Sequence, residues 1–282
     1  MQEATVSEGA AAPSEAVDWI GVGRICLLSR ALDDLEEREL VPERLVAYQF
    51  SSRGHEVAQA LLGMALGHPR DAATVYYRSR PFLLTCGLTA TEALAGSMGR
   101  VGGPSGARDI GVVHSLVPRG RATVLPMSGA VGSQYTPATG WASAIRYRVE
   151  VMGHSDWDGA IAVAMGGEGS ASTPGFWAAL NIAAAGALPM VFMIEDNGYA
   201  ISVPATVQTP GGNIARNLGA FDGLLVLDGD GLAPCVGHHR LVCWSLTATA
   251  PIRPRRPNFW PPPSLGPGPA RVRPWCASWS LA

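Results

Sequence analysis

The stretch that decides the fold runs from Ala160 to Gly198 and reads AIAVAMGGEGSASTPGFWAALNIAAAGALPMVFMIEDNG. Two continuous apolar runs, 160–165 and 188–194, have the pattern of strands buried on both faces. Between them, a glycine-rich turn and a Ser-Thr-Pro start signal lead into an alanine-rich helical segment. This unit predicts two parallel strands joined by a right-handed crossover. The fold class is therefore predicted to be α/β, with a mainly parallel sheet flanked by helices.

Further elements are predicted on both sides of this unit. A short strand over 224–227 fits the same sheet. Apolar residues at helical spacing predict helices over 19–40 and 54–66, and a Thr-x-x-Glu capping box at Thr89 predicts a helix that continues to Met98. Another helix is expected over 137–149.

Composition excludes several classes of protein. Apolar residues make up 47% and charged residues only 16% of the 282 residues, which indicates a globular core and not a disordered chain. No uninterrupted apolar stretch approaches the about 18 residues of a membrane-spanning helix. The five cysteines form no C-x-x-C pair, and the first 17 residues carry three acids and no base. These features predict a cytoplasmic protein without a membrane or secretory segment.

The net charge of −2 averages two unlike segments. The first 230 residues hold all 23 acids against 15 arginines, and the chain has no lysine. Residues 231–282 carry six arginines and no acid, together with ten prolines and four tryptophans. Six arginines without interleaved aromatic–basic motifs are weak support for nucleic-acid binding, and none is predicted.

These contrasts predict three segments in the chain. Residues 1–16 are expected to be a disordered leader, and residues 17–230 the folded domain. Residues 231–282 are expected to be an unstructured Pro/Arg-rich tail. The absence of lysine suggests a GC-rich gene, in which a shifted reading frame would give such a tail, and we favour that origin. A genuine proline-rich linker is the alternative.

Polar residues follow both strands of the central unit. Glu168 lies between two glycines after the first strand, and Asn197 comes 29 residues later, after the second. Adjacent parallel strands place their carboxyl ends about 5 Å apart. A carboxylate and a carboxamide oxygen are suitable ligands for Mg²⁺, which takes its remaining ligands from phosphate and water. The alternative is that Glu168 is only an acid placed at a helix start.

These residues carry a family resemblance. Gly167-Glu168-Gly169 followed by Asp196-Asn197 is similar to the thiamine-diphosphate motif, with Glu in place of its Asp and Asp in place of its first Asn. The wider text from about Trp19 to Asp230 resembles the alpha subunit of the 2-oxo acid dehydrogenase E1 component. The resemblance implies the thiamine-diphosphate-binding fold and two cofactors, thiamine diphosphate and Mg²⁺.

The resemblance also implies roles for individual residues. The metal would be held by the Glu168 and Asn197 side chains and by the Tyr199 backbone carbonyl. The residues implied to bind the cofactor, including those metal ligands, are Tyr77, Arg78, Gly129, Val131, Gly167, Glu168, Gly169, Ser170, Asn197, Tyr199 and Ala200. Arg78 would contact phosphate, and Val131 would support the bent cofactor. A packed tyrosine and a surface arginine are the alternatives at Tyr77 and Arg78.

The implied activity is oxidative decarboxylation of a small-molecule 2-oxo acid, with acyl transfer to a lipoyl-bearing E2 component. The implied partner is an E1 beta subunit in an α2β2 assembly. No catalytic residue is assigned: His114 only approximates a family loop histidine, and His238 and His239 lie in an unrelated context. Two alternatives stay open, an acetoin dehydrogenase alpha subunit and an inactive cofactor-binding remnant without the C-terminal histidine loop.

Overall fold

The computed structural model describes residues 17–108, 114–230 and 240–245. A sheet of six strands, in the order β2-β1-β3-β4-β8-β7, forms the centre of this part of the chain. The strands are β1 (Ala72–Thr74), β2 (Thr123–Val124), β3 (Ala162–Gly167), β4 (Met190–Asp196), β7 (Leu225–Asp230) and β8 (Arg240–Ser245), and β5 (Tyr199–Ala200) pairs with β6 (Val203–Pro204) in a separate hairpin. The first four are mutually parallel, which confirms the predicted α/β class.

Eight α-helices accompany the sheet within the described residues. They are α1 (Trp19–Leu35), α2 (Glu56–Ala65), α3 (Arg80–Thr85), α4 (Ala90–Ser97), α5 (Tyr135–Glu150), α6 (Pro174–Ala185), α7 (Ala205–Gln208) and α8 (Ile214–Leu218). The α4 capping box is present as predicted: the Thr89 hydroxyl accepts from the Glu92 N–H, and the Glu92 carboxylate accepts from the Thr89 N–H. A π-helical turn, Glu36–Leu40, continues α1 to residue 40, the end of the helix predicted over 19–40.

The sheet is buried on both faces, as the continuous apolar runs predicted. Along β4, Met190, Phe192 and Ile194 pack against α5, α6 and α8. The alternate residues, Val191 and Met193, pack on the opposite face with α2 and α3. Successive strand residues point to opposite faces, so each residue of the apolar part of β4, 190–194, packs against apolar residues on one side or the other.

The strand predicted over 224–227 is present as β7, but β7 does not pair with β4. Strand β8 lies between them and runs antiparallel to both. Residues 240–245 therefore differ from the expectation that the tail contributes no packed structure. Their sequence, RLVCWS, is short and rich in β-prone residues, which suits a strand. The rest of the tail and residues 1–16 lie outside the described residues, and the predicted domain boundaries stay predictions.

A buried ion-pair cluster connects α1 to α3. The Arg80 guanidinium lies 2.7 Å from a carboxylate oxygen of Asp33 and 2.7 Å from one of Glu36. Both acids are almost fully buried, and the Arg80 side chain is 13% exposed. Ser51 and Ser52 donate further hydrogen bonds to Asp33.

Among the described helices, none is long and apolar enough to cross a lipid bilayer.

Candidate cofactor and metal site

The carboxyl ends of β3 and β4 bring the predicted metal ligands to one edge of the sheet. The strand register pairs Gly167 with Glu195, the last residue but one of β4. Glu168 opens a 3₁₀ turn immediately after β3, and Asn197 follows β4 directly. Because neighbouring strands lie about 4.8 Å apart, both residues leave the sheet at the same point.

Glu168 is a buried carboxylate, with only 2% of the residue exposed. Its Oε1 accepts a hydrogen bond from the Thr209 hydroxyl, and its Oε2 lies 3.4 Å from the Gln208 amide nitrogen. Burial raises the pKa of the Glu168 carboxyl; the Thr209 hydrogen bond opposes this rise, and the negative charge of Asp196 adds to it. Glu168 directly follows β3 and Asp196 ends β4, so two acids lie at this edge of the sheet.

Asn197 lies in a tight turn between β4 and the β5–β6 hairpin. Its side-chain oxygen accepts a hydrogen bond from the Tyr199 N–H at 3.1 Å, and Asp196 accepts one from the Gly198 N–H at 2.8 Å. Gly198 has a φ of +82°, a conformation that favours glycine. The turn places Asn197, half-buried, at the start of the hairpin that carries the exposed Tyr199.

The 3₁₀ turn and the hairpin fit closely against each other at Gly169. A Cβ atom on Gly169 would lie 2.5 Å from the Ala200 Cβ, so a larger residue would force these segments apart. Ser170 stabilises the turn, because its hydroxyl donates to the Gly167 carbonyl at 2.6 Å and also bonds to the Tyr135 hydroxyl. The structure thus brings Gly167, Gly169, Ser170 and Ala200 together beside Glu168.

Tyr77 and Arg78 lie in the turn that follows β1, the strand beside β3. Arg78 donates a hydrogen bond to the Ser51 carbonyl at 2.6 Å, and its guanidinium carbon lies 5.2 Å from the centre of the Tyr77 ring. Tyr76 reaches the glycine turn: its ring carbon is 3.7 Å from where a Cβ of Gly167 would be. The turn after β1 therefore contacts the edge that holds Glu168 and Asn197.

The loop before α5 contacts the glycine turn from another side. Gly132 packs against Thr173 so closely that a Cβ would overlap the Thr173 hydroxyl. Gly129 and Val131 lie further out, and Val131 is 64% exposed. Their predicted contact with the cofactor stays a prediction. The His114 Nε2 lies 3.4 Å from the Tyr77 carbonyl oxygen, and His114 lines a pocket together with residues of α3 and α4 and with Pro104, Ser105 and Ser115.

Comparison with known proteins agrees with this arrangement. The sequence pattern of the dehydrogenase E1 component family matches residues 25–231, most of the chain. The chain belongs to this family. It is 32% identical over 204 residues to the 2-oxoisovalerate dehydrogenase subunit alpha of Bacillus subtilis, a match that covers 71% of this chain and 57% of that protein.

Two other relatives are E1 alpha subunits of pyruvate dehydrogenase. The protein of Staphylococcus aureus strain Mu50 is 31% identical over 163 residues, covering 58% of this chain and 38% of the relative. That of Zymomonas mobilis is 31% identical over 179 residues, covering 62% and 47%. The chain thus spans about 40–60% of the length of these relatives.

Some residues at the carboxyl ends of β3 and β4 were not predicted from the sequence to belong to the site. Glu195 is buried, and its carboxylate accepts hydrogen bonds from Gln59 and Tyr76. Burial raises the pKa of Glu195 to about 7, although these two bonds and the charge of Arg78 oppose the rise. Thr209 was also missed. The sequence offered one indication of Glu195, since this acid directly follows the apolar run 188–194. Its partners Gln59 and Tyr76 could not be inferred, because they are distant in the sequence.

His55, just before α2, is a further buried group near the site. Burial lowers the pKa of His55 to about 4; the positive Arg78 adds to this shift, whereas Glu56 and Asp196 oppose it. The imidazole is therefore neutral at neutral pH. The charges that act on it show that the α2 end, the turn after β1 and the end of β4 converge.

The donor set of the E1 site suits a hard cation that also binds phosphate. Its atoms are carboxylate and amide oxygens, the ligands preferred by Mg²⁺. Within the described residues, no group of three or more His, Cys, Asp or Glu side chains is arranged to hold a metal alone. Glu168 and Asn197 would supply only part of an octahedral shell, so the cation would need oxygens from a bound phosphate. The repulsion between Glu168 and Asp196 would be relieved by such a cation.

Proposed function

We propose that this chain is the alpha subunit of a thiamine-diphosphate-dependent 2-oxo acid dehydrogenase E1. With a beta subunit, in an α2β2 assembly of the cytoplasm, it would carry out oxidative decarboxylation of a 2-oxo acid and acyl transfer to a lipoyl-bearing E2. The observation that carries the proposal is that Glu168 and Asn197 directly follow the neighbouring parallel strands β3 and β4, in a chain whose family is the dehydrogenase E1 component.

The chain's own residues would bind and orient the cofactor. Glu168, Asn197 and the Tyr199 carbonyl would hold Mg²⁺ against the diphosphate. The backbone N–H groups of the glycine turn would be accessible to a phosphate, because glycine has no Cβ to shield them. Arg78 would add a charge-assisted contact to a phosphate oxygen. Residues that would line the rest of the cofactor are Tyr77, Gly129, Val131, Gly167, Gly169, Ser170 and Ala200.

When bound, thiamine diphosphate supplies the nucleophilic carbon and the electron sink for decarboxylation. Glu168 and Asp196 lie at the end of the site proposed to bind the metal, and a cation that entered with the anionic diphosphate would offset the repulsion between them. The substrate is proposed at the level of a small-molecule 2-oxo acid, since the similar proteins include both 2-oxoisovalerate and pyruvate dehydrogenase subunits.

The direct test is calorimetric titration of thiamine diphosphate, with and without Mg²⁺, into the full chain co-expressed with its beta-type partner. We expect Mg²⁺-dependent binding, and at least tenfold weaker binding in Glu168→Ala and in Asn197→Ala, about 1.4 kcal/mol each. Glu150→Ala, an exposed carboxylate on α5, is the matched control and should bind as the wild type does.

Unchanged affinity in both site variants would contradict the metal assignment. Sizing chromatography of the same preparation should show a complex of four chains. Cofactor binding without 2-oxo acid decarboxylation in the assembled complex would favour the alternative of an inactive cofactor-binding remnant.

A further inference from the structure

We infer that Glu195 and Gln59 are positioning residues that fix the turn after β1 to the end of β4, and thereby place the Arg78 guanidinium at the phosphate side of the site. The inference rests on the proposed function, because Arg78 is the residue through which it would act on the cofactor. Gln59, Tyr76, Arg78 and Glu195 are called the Glu195 cluster below.

The cluster joins three segments that are far apart in the sequence. Gln59 is on α2, Tyr76 and Arg78 are in the turn after β1, and Glu195 is near the end of β4. The Gln59 amide nitrogen lies 2.8 and 3.1 Å from the two carboxylate oxygens of Glu195, and the Tyr76 hydroxyl donates to one of those oxygens. One buried carboxylate thus ties a helix and a turn to a strand end.

The same Gln59 nitrogen also contacts the backbone of Arg78, the residue proposed to bind phosphate. It lies 3.1 Å from the Arg78 carbonyl oxygen, so a single amide group bridges Glu195 and Arg78. Gln59 is fully buried, and its own side-chain oxygen has no hydrogen-bond partner within the described part of the chain. Leaving a buried polar atom unsatisfied costs about 1–3 kcal/mol. An apolar residue at position 59 would avoid this cost. We therefore attribute the presence of Gln59 to the hydrogen bonds that its amide nitrogen donates.

A second contact holds the Arg78 side chain itself. Its Nη1 donates a hydrogen bond to the Ser51 carbonyl at 2.6 Å. This contact uses only part of the guanidinium, which has five N–H donors. Within the described part of the chain the Arg78 side chain makes no other hydrogen bond, so the remaining donors would be available to a phosphate.

The test is a double-mutant cycle on cofactor affinity, which separates positioning from general structural support. The probe is thiamine diphosphate with Mg²⁺, titrated into the full chain with its beta-type partner. Glu195→Gln should weaken binding about tenfold in the wild-type background. In an Arg78→Ala background the same substitution should change affinity by less than about twofold, because its effect passes through Arg78. Glu150→Gln is the matched control for loss of a carboxylate.

An unchanged affinity in Glu195→Gln, or an equal loss in both backgrounds, would overturn the inference. A cofactor-free readout separates this outcome from failure of the proposed function. The rate at which phenylglyoxal modifies Arg78, followed by peptide mass spectrometry, should rise at least threefold in Glu195→Gln and in Gln59→Met but not in Glu150→Gln. Equal rates in all of these chains would also overturn it, whereas faster modification in a chain that binds no cofactor would count against the proposed function alone.

Discussion

The chain buries acidic side chains in two regions, and it satisfies them in opposite ways. Between α1 and α3, Asp33 and Glu36 share the guanidinium of Arg80. At the strand ends, Glu168 and Glu195 accept hydrogen bonds from neutral donors, the Thr209 hydroxyl and the Gln59 amide among them. The first region contains its own cation, which offsets part of the acidic charge. The second holds its acids through neutral donors at the edge proposed to bind a cation, and burying them there costs stability.

The largest effect is expected between α1 and α3, where Asp33 and Glu36 share the Arg80 guanidinium. Arg80→Met keeps most of the side-chain volume but leaves Asp33 and Glu36 buried without a cation. Breaking a buried ion pair on one side costs about 3–5 kcal/mol, so the free energy of unfolding should fall by that amount. Urea denaturation of the full chain measures it. Adding Asp33→Asn and Glu36→Gln to Arg80→Met should recover part of the loss; no recovery would show that charge is not the cause.

A somewhat smaller effect is expected from His55, which lies at the strand-end region. Its pKa is lowered to about 4 in the folded chain, against 6.5 for the ordinary group. The unfolded chain therefore binds more protons between these values, and the free energy of unfolding should decrease as pH falls from 6.5 to 4. The full decrease is about 3 kcal/mol. Denaturation at several pH values should show a shallower decrease in His55→Asn, and an identical slope would contradict the assignment.

Thr209 tests whether neutral donors are sufficient to hold a buried carboxylate. Thr209→Val removes the hydroxyl that donates to Glu168 while keeping the side-chain shape. A hydrogen bond to a charged group contributes about 1.5–3 kcal/mol, and we expect a loss of stability at the lower end of that range. The Mg²⁺ concentration that half-saturates cofactor binding should also rise. Thr206→Val, one turn earlier and exposed, is the matched control.

The smallest effect is expected where an acid–base pair is open to solvent. Arg53 contacts Asp34 and Glu37, and all three side chains are about half exposed. Exposed ion pairs contribute about 0–1 kcal/mol, so Arg53→Met should change the free energy of unfolding by less than 1 kcal/mol. The change should vanish in high salt. A loss as large as that of Arg80→Met would remove the distinction between the two regions.

The sequence was sufficient for the elements whose signals are local. Apolar runs predicted β3 and β4 because both strands are buried on both faces, and the Thr89 capping box is a contact between residues three apart. Glu168 and Asn197 could be selected because they follow those strands directly. Each of these inferences needed only a short stretch of sequence and the geometry of parallel strands.

Contacts between distant residues could not be predicted in this way. Gln59 and Glu195 are 136 residues apart, and nothing local in either segment specifies the other. Thr209 meets Glu168 only because the β5–β6 hairpin returns the chain to the glycine turn. The tail composition hid β8, since six residues of suitable β propensity were surrounded by proline and arginine. Pairing of that strand depends on the two partners, β4 and β7, on either side.

The position of β8 also has a consequence for how the protein tolerates shortening. A chain cut after Asp230 would keep the residues of β7 but lose β8, the strand that pairs with both β7 and β4. The edge of β4 would then expose unpaired N–H and C=O groups along Met190–Asp196, a strand whose sequence is mostly apolar. Such an open edge is a template for pairing with another chain. The six residues of β8 thus protect the sheet against aggregation, and a truncated chain would associate through β4 even where its core remained folded.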